Sequence, residues 1–156
     1  MNPRRLDIEV FRDSIMHAAG TLNDKLYGLS IDFDDAANDR RTVYARVSRG
    51  RLNPVLRLYD FPDPMQTSPG RDLTTTPLQQ LFVMNSQFIQ TQAEAFARSV
   101  EQKTDNAAKI RSLFEKILLR EPTQKDLDRG MTYLAQATVA QYAQALLSLN
   151  EVIFWP

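Results

Sequence analysis

The feature that most constrains the fold is a long middle segment, residues 23–76, in which no helical period can be traced. Helix-period stripes of apolar residues lie on both sides of it, whereas connections in compact domains are usually only about 4–6 residues long. Disorder is disfavoured because the segment carries too many large apolar side chains to leave in water. These are Leu26, Tyr27, Ile31, Phe33, Val43, Tyr44, Val47, Val55, Leu56, Leu58, Tyr59 and Phe61. We therefore predict an ordered loop that is fixed onto a helical scaffold.

Two short elements are predicted inside this segment. Apolar and polar residues alternate over residues 42–48, which is typical of one short strand. Asn53 and Pro54 are typical of a helix start, with asparagine at the cap and proline at the first position, so we expect a helical turn through Tyr59.

Helical stripes account for most of the remaining chain. Residues 6–22 carry one, with Asp7 as a plausible N-cap and Gly20 near its end. Others run over residues 78–100, 110–118, 127–134 and 139–147, and the connections between the last three are short enough for antiparallel packing. The sequence predicts a mainly α fold: an irregular helical domain of about five helices with a long ordered Arg-rich loop and at most a short strand or hairpin.

The length fits a single domain over residues 1–156, with possible sub-lobes at 1–103 and 104–156. The last residues, Phe154, Trp155 and Pro156, would leave two large aromatic side chains beside a free end. We expect them to dock onto the domain.

Charge and composition disfavour several classes of function. Nineteen basic residues balance nineteen acidic ones, which disfavours a nucleic-acid partner. The chain has no cysteine and one histidine, which removes thiol nucleophiles and most transition-metal sites, and no cofactor is predicted in this chain. No apolar run approaches the roughly 20 residues that a membrane span needs.

Residues 32–39 form an acidic stretch in which carboxylates could converge on calcium. The spacing departs from an EF-hand loop, because Ala37 replaces the glycine and Val43 replaces the last glutamate. We predict a solvated acidic loop, with an irregular calcium site as the alternative.

The middle segment is also locally basic, and guanidinium groups suit bidentate recognition of carboxylate or sulfate. Its arginines are Arg40, Arg41, Arg46, Arg49, Arg51, Arg57 and Arg71. They could instead pair with Asp60, Asp63, Asp72 and the acidic stretch to fix the loop. The spacing does not separate these two interpretations.

Other polar residues have structural interpretations. His17 lies beside the first apolar stripe and is predicted to be a boundary residue. Asn85 lies on the apolar face of its stripe and should find hydrogen-bond partners on a nearby loop. Paired carboxylates can cleave glycosides, yet no pair stands out, so no catalytic residue is predicted.

The stretch "RRTVYARVSRGRLNPVLRLYDFPDPMQTSPGRDLTTTPLQQL", residues 40–81, resembles the planctomycete PSD domain, a domain of unknown function. The likeness extends to "RRLDIEVFRDSI" near the start, "FVMNSQFIQTQA", "LFEKILLREPTQKDL" and "ALLSLNEVIFW" near the end. Many members have a cysteine where this chain has Ser68, so a redox role for that cysteine is absent from this copy.

The resemblance implies a fragment of a larger exported protein, periplasmic or at the cell surface, in which neighbouring domains are the partners. It also implies that haem, if present, belongs to a cytochrome-c-like domain nearer the N-terminus, where this module would be an electron-transfer accessory. It implies no activity, because the family has no established catalytic residues.

Our leading hypothesis is a non-catalytic helical module that docks onto neighbouring domains or a cell-surface partner. The alternative is a site that binds or hydrolyses acidic or sulfated polysaccharide. In it Arg46, Arg49 and Arg71 would hold the anionic groups, Asp60 or Asp63 would assist, and Asn85 would add a hydrogen bond.

Overall fold

The computed structural model describes residues 4–155, with the side chain of Trp155 outside that description. These residues form eight α-helices, one 3-10 helix at Thr42–Tyr44 and two short strands. The strands are β1 (Arg4–Arg5) and β2 (Phe154–Trp155). The helices are α1 (Ile8–Ala19), α2 (Pro54–Leu58), α3 (Pro77–Asn85), α4 (Gln87–Ser99), α5 (Asn106–Leu118), α6 (Gln124–Leu134), α7 (Val139–Leu147) and α8 (Asn150–Ile153). The mainly α prediction is confirmed.

The helix starts follow the capping residues of the sequence. Asp7 precedes α1, which ends at Gly20 in the left-handed conformation with φ 73°. The Asn53 side chain accepts a hydrogen bond from the backbone N–H of Val55 at the start of α2. Thr123 caps α6 and forms a reciprocal capping box with Asp126. Each start was predicted from these residue types.

The predicted helix over residues 78–100 is divided at Ser86. This residue has an extended backbone, with ψ 139°, and it serves both as the C-cap of α3 and as the N-cap of α4. Its backbone N–H donates to the Phe82 carbonyl oxygen, and its hydroxyl accepts from the N–H of Ile89. The division, together with α2 and the short α8, raises the number of helices above the expected five.

The predicted strand over residues 42–48 was wrong. The Asp13 carboxylate on α1 accepts hydrogen bonds from the Thr42 N–H and hydroxyl, at 2.8 and 2.6 Å, and the chain turns there into the 3-10 helix. Within residues 42–48, strand-like contacts remain only as two isolated bridges, from Ala45 to Ile31 and from Ser48 to Arg51. The side-chain alternation is real, but Val43 and Val47 are exposed.

One hydrophobic cluster joins both ends of the chain to its middle. It includes Phe11 of α1, Tyr59 after α2, Phe96 of α4 and Leu146 of α7, all buried. The most extensive helix pair is α4 with α7, followed by α5 with α6. This scaffold carries the irregular segment on its α1 side.

The apolar stripe over residues 127–134 predicts that Leu127, Met131 and Leu134 face inward on α6, and one of these three positions differs in the structure. Leu127 and Leu134 pack against the core, but Met131 is exposed. The buried residue is Gly130: a Cβ atom there would lie 2.6 Å from the Tyr142 hydroxyl oxygen and 2.8 Å from Ile110 Cδ1. Glycine therefore allows α6 to approach its neighbours more closely than a side chain would permit.

The two ends of the described chain meet in an antiparallel pair. Arg4 lies opposite Trp155 and Arg5 opposite Phe154, and the Leu6 N–H donates to the Ile153 carbonyl oxygen at 2.7 Å. Phe154 is half-buried. The expected docking of Pro156 and of the Trp155 side chain lies outside the described residues.

Candidate functional site

The predicted anion-binding arginines of the middle segment differ in their surroundings. Arg46 lies 3.6 Å from the Asp32 carboxylate, and both side chains are exposed. Arg49 is exposed, and no carboxylate pairs with it among residues 4–155.

Arg71 is held by α1. Its two terminal nitrogens donate to the Glu9 carboxylate at 2.7 and 2.6 Å, and its guanidinium lies 4.8 Å from the centre of the Phe61 ring. The Glu9 hydrogen bond raises the pKa of Arg71 against the opposing effect of burial. This bidentate pair ties the end of the irregular segment to the first helix.

The other residues of the predicted site, Asp60, Asp63 and Asn85, form hydrogen bonds with separate partners and not with one another. Asp60 accepts from Arg5 at 2.7 Å and from the Thr74 hydroxyl at 2.8 Å. Asp63 accepts from the N–H of Met65 at 2.9 Å in a local turn. Asn85 is exposed and donates to the Leu81 carbonyl oxygen in its own helix, so it needs no partner on a loop.

The acidic stretch is a loop with its own turns. The Asp35 carboxylate accepts from the Ala37 N–H at 2.9 Å, and the Asn38 side chain donates to the Asp32 carbonyl oxygen at 3.0 Å. Within residues 4–155, no three His, Asp or Glu side chains group closely enough to hold a metal ion. His17 is exposed on α1.

A buried arginine that the sequence did not single out organises this region. Arg12 on α1 is 4% exposed and donates to the Arg40 carbonyl oxygen at 2.8 Å, and also to the Asn38 carbonyl oxygen. Its guanidinium lies between the rings of Phe33 and Phe88, at 5.7 and 5.5 Å. Burial lowers the pKa of Arg12, while the charges of Asp13 and Asp39 act in the opposite direction. The loop is thus fixed through its backbone.

Arg40 holds the preceding residues in the same way. Its guanidinium donates to the carbonyl oxygens of Leu29 at 3.0 Å, Lys25 at 3.2 Å and Tyr27. The group also lies 4.0 Å from the centre of the Tyr44 ring, whose hydroxyl accepts from the Tyr27 N–H at 3.0 Å. Three carbonyl groups of one short loop therefore face inward onto a single side chain.

We call residues 25–29 the display loop, because its carbonyl groups point inward while its apolar side chains are left in solvent. Leu26, Tyr27 and Leu29 are 57%, 81% and 90% exposed. Tyr27 has a positive φ of 62°, a conformation that costs a bulky residue roughly 1–3 kcal/mol unless its surroundings fix it. A loop that is fixed this firmly, yet buries none of its three large apolar side chains, is suited to contact with another surface.

A cleft of about 360 Å³ lies nearby, between α1, the 33–39 loop and the start of α4. We call it the α1–α4 cleft. Its interior is mainly apolar, with the rings of Phe11, Phe33 and Phe88 among its lining. Three carboxylates lie at the cleft on the 33–39 loop, those of Asp34, Asp35 and Asp39, and all three residues are exposed. Such a cleft is complementary to an apolar side chain that has a basic neighbour.

The family model described as PSD1, protein of unknown function (DUF1553), matches residues 1–134 of the chain. The match ends with the last residue of α6. Neither the curated proteins nor the solved structures include a significant match. No helix in residues 4–155 combines the length and apolarity needed to cross a bilayer.

Proposed function

The chain belongs to the PSD1 family of proteins of unknown function, and on that premise we propose that it is a non-catalytic docking module. The display loop is its contact element. The single observation that carries the proposal is the Arg40 arrangement, in which one buried guanidinium fixes the backbone of a loop whose Leu26, Tyr27 and Leu29 side chains are exposed.

The chemistry of the loop indicates the kind of surface it would meet. Tyrosine and other large apolar side chains contribute most when they enter a pre-formed pocket, and a rigid loop loses little conformational entropy on binding. Lys25 lies in the same loop and is exposed. The partner surface should therefore be apolar at its centre and acidic at its edge.

The family likeness supports a wider setting for this module. We propose that it operates within an exported multi-domain protein, where an adjoining domain or a cell-surface partner could supply such a surface. Haem in an upstream domain would make the contact relevant to electron transfer, without a cofactor in this chain.

Hydroxyl-radical footprinting tests the docking proposal. The isolated chain at about 0.1 µM and the full-length gene product at about 100 µM, below and above the micromolar range of weak contacts, would be labelled, and the labelling of Tyr27 and Leu29 measured by mass spectrometry. We expect severalfold lower labelling in the full-length protein. Leu119, which is 85% exposed at the end of α5, is the matched control and should be labelled equally in both. Equal labelling of Tyr27 and Leu29 in both samples would contradict the proposal.

A second candidate function, binding of acidic or sulfated polysaccharide, is favoured by the exposure of Arg41, Arg46, Arg49 and Arg51. We propose binding alone for it, because Asp60, one of the two carboxylates expected to assist, already accepts hydrogen bonds from Arg5 and Thr74.

A glycan array with charge-matched non-sugar polyanions distinguishes this candidate. Specific glycan binding that is lost in Arg49→Ala, but kept in the exposed α4 control Arg98→Ala, would support it. Equal binding of the polyanions would contradict it.

A further inference from the structure

We propose that the surface that receives the display loop is the α1–α4 cleft of a second copy of this chain, so that the module forms a reciprocal dimer. The inference rests on the proposed function, because it names the partner of the same loop. The display loop and the α1–α4 cleft of one molecule are complementary to each other in apolar character and in charge.

The first complementarity is apolar. The cleft of about 360 Å³ is near the lower end of the roughly 300–1,000 Å³ range for ligand sites, so it suits one or two large side chains rather than an extended ligand. Tyr27 and Leu29 are the two most exposed large side chains of the display loop. Aromatic rings also line the cleft, and ring–ring contacts add about 0.5–1.5 kcal/mol to the burial of area.

The second complementarity is one of charge. The cleft carries the carboxylates of Asp34, Asp35 and Asp39, and its one arginine, Arg12, is buried and already donates to backbone carbonyl groups. The display loop carries Lys25 and no acidic residue within residues 25–29, although the exposed Asp24 directly precedes it. Insertion of the loop would therefore bring its ammonium group to a rim of carboxylates, which favours this partner over an apolar surface without acids.

The display loop and the α1–α4 cleft also lie close together in one molecule. The backbone N–H of Asn23 donates to the carbonyl oxygen of Asp39 at 2.8 Å, and Asp39 lines the cleft. The display loop begins two residues after Asn23, at Lys25. Each copy thus carries loop and cleft side by side, which is the arrangement that a two-fold axis requires for two identical contacts.

Sedimentation velocity over a range of concentrations tests the dimer. We expect reversible association of the wild-type chain, with a dissociation constant on the order of 10 µM for a small reciprocal interface. Tyr27→Asn and Leu29→Ser should each weaken association at least tenfold. Asparagine tolerates a positive φ, so the first variant removes the ring and keeps the shape of the loop. Leu119→Ser is the control and should associate like the wild type.

A charge exchange tests the orientation of the contact. Lys25→Glu should weaken association, as should Asp34→Lys with Asp35→Lys in the same chain. An equimolar mixture of these two variants should form a heterodimer, because one chain then offers an acidic loop to a basic cleft. Circular dichroism shows whether each variant is folded.

The outcomes separate this inference from the proposed function. A chain that stays monomeric up to about 1 mM, or one whose dimer is unaffected by the Tyr27 and Lys25 variants, overturns the second copy as partner. If the footprint of Tyr27 is still protected in the full-length protein, the docking function stands and an adjoining domain is the partner. If that protection is also absent, both proposals are wrong.

Discussion

Residues 23–76 and residues 87–147 share one hydrophobic core, but the polar groups of their backbones are satisfied differently. In the helical region, hydrogen bonds within α4 to α7 satisfy the backbone, and serine, threonine or aspartate side chains cap the helix starts. In the irregular region, the side chains of Arg12, Arg40 and Asp13 take over much of this role.

This difference teaches where the stability of each region resides. Stability of the helical region is distributed over many apolar contacts, so its largest losses come from cavities. Stability of the irregular region is concentrated in a few buried guanidinium groups, each of which satisfies several carbonyl oxygens that would otherwise be left unpaired. A substitution in the helical region should lower the stability of the whole domain. Loss of a buried arginine that holds the irregular region should lower stability locally.

The largest expected effect is that of Phe96→Ala in α4, because this ring is fully buried between α4 and its neighbours. The free energy of unfolding should fall by about 3–5 kcal/mol. Urea denaturation followed by circular dichroism measures it, and both regions should unfold in one transition. Met84→Ala, at an exposed position of α3, should change it by less than about 0.5 kcal/mol. Separate transitions for the two regions would show that they do not depend on one shared hydrophobic core.

Arg12→Met should have the next largest effect, and the loss of stability should be concentrated in the irregular region. Methionine keeps an apolar stem but leaves the carbonyl groups of Asn38 and Arg40 without this donor, at a local cost of about 1–3 kcal/mol in all. Native-state hydrogen exchange should show faster exchange of amides in residues 31–45 and little change in α5 to α7. Arg129→Met, at an exposed position of α6, is the control. Uniform acceleration across the chain would show that the irregular region is not a separate unit of stability.

Gly130→Ala tests the close packing of the helical region. Alanine normally stabilises a helix interior by about 1 kcal/mol relative to glycine, but here its Cβ meets the Tyr142 hydroxyl and Ile110. Overpacking costs typically about 1–3 kcal/mol, so we expect a net loss of about 1 kcal/mol in chemical denaturation. Tyr142→Phe removes the nearest contact and should recover part of the loss in the Gly130→Ala background. A stabilised Gly130→Ala protein would show that α6 packs loosely.

The smallest effect concerns the partly buried pair of Glu9 and Arg71 at the end of the irregular region. Burial raises the pKa of Glu9, but the hydrogen bonds and charge of Arg71 outweigh it, and the net pKa lies below its ordinary value of 4.5. A carboxyl with a lowered folded pKa contributes stability above its unfolded pKa, and this contribution is lost as the pH falls through the folded value.

Glu9→Gln should therefore lower stability at pH 7 by less than about 1 kcal/mol and flatten its fall below about pH 4.5. Arg71→Met in the Glu9→Gln background should add only a small further pH dependence, because the Asp7 carboxylate, 3.6 Å from Arg71, is then its one remaining acidic partner among the described residues. Thermal denaturation between neutral and acid pH measures both. An unchanged acid limb in Glu9→Gln would remove this pair from the contacts that hold the segment.

The sequence predicted most of the helical region, because its signals are local. Apolar spacing located the helices, and the capping residues Asp7 and Asn53 marked the starts of α1 and α2. The division at Ser86 was missed because the apolar stripe continues across it and only the backbone turns.

The irregular region was predicted to be ordered and Arg-rich, but the contacts that hold it were not predicted. We expected its arginines to meet carboxylates. Arg46 and Arg71 do, while Arg40 binds carbonyl oxygens, which have no sequence signature. Arg12 escaped notice because it lies between Phe11 and Ile15 in an amphipathic helix, where an arginine is usually solvated. Two features of the sequence together could have identified Arg12: an arginine inside an apolar helical stripe, and a long following loop that is rich in apolar residues.

The antiparallel pair of β1 and β2 also has a mechanical consequence. Chain segments that enter before Arg4 and leave after Trp155 do so from the same end of the ladder. Tension applied through both would open that ladder like a zipper, one hydrogen bond at a time, instead of shearing all of them together. The pairing of β1 with β2 would therefore open first under a small force, while α1 and the helices behind it stay folded.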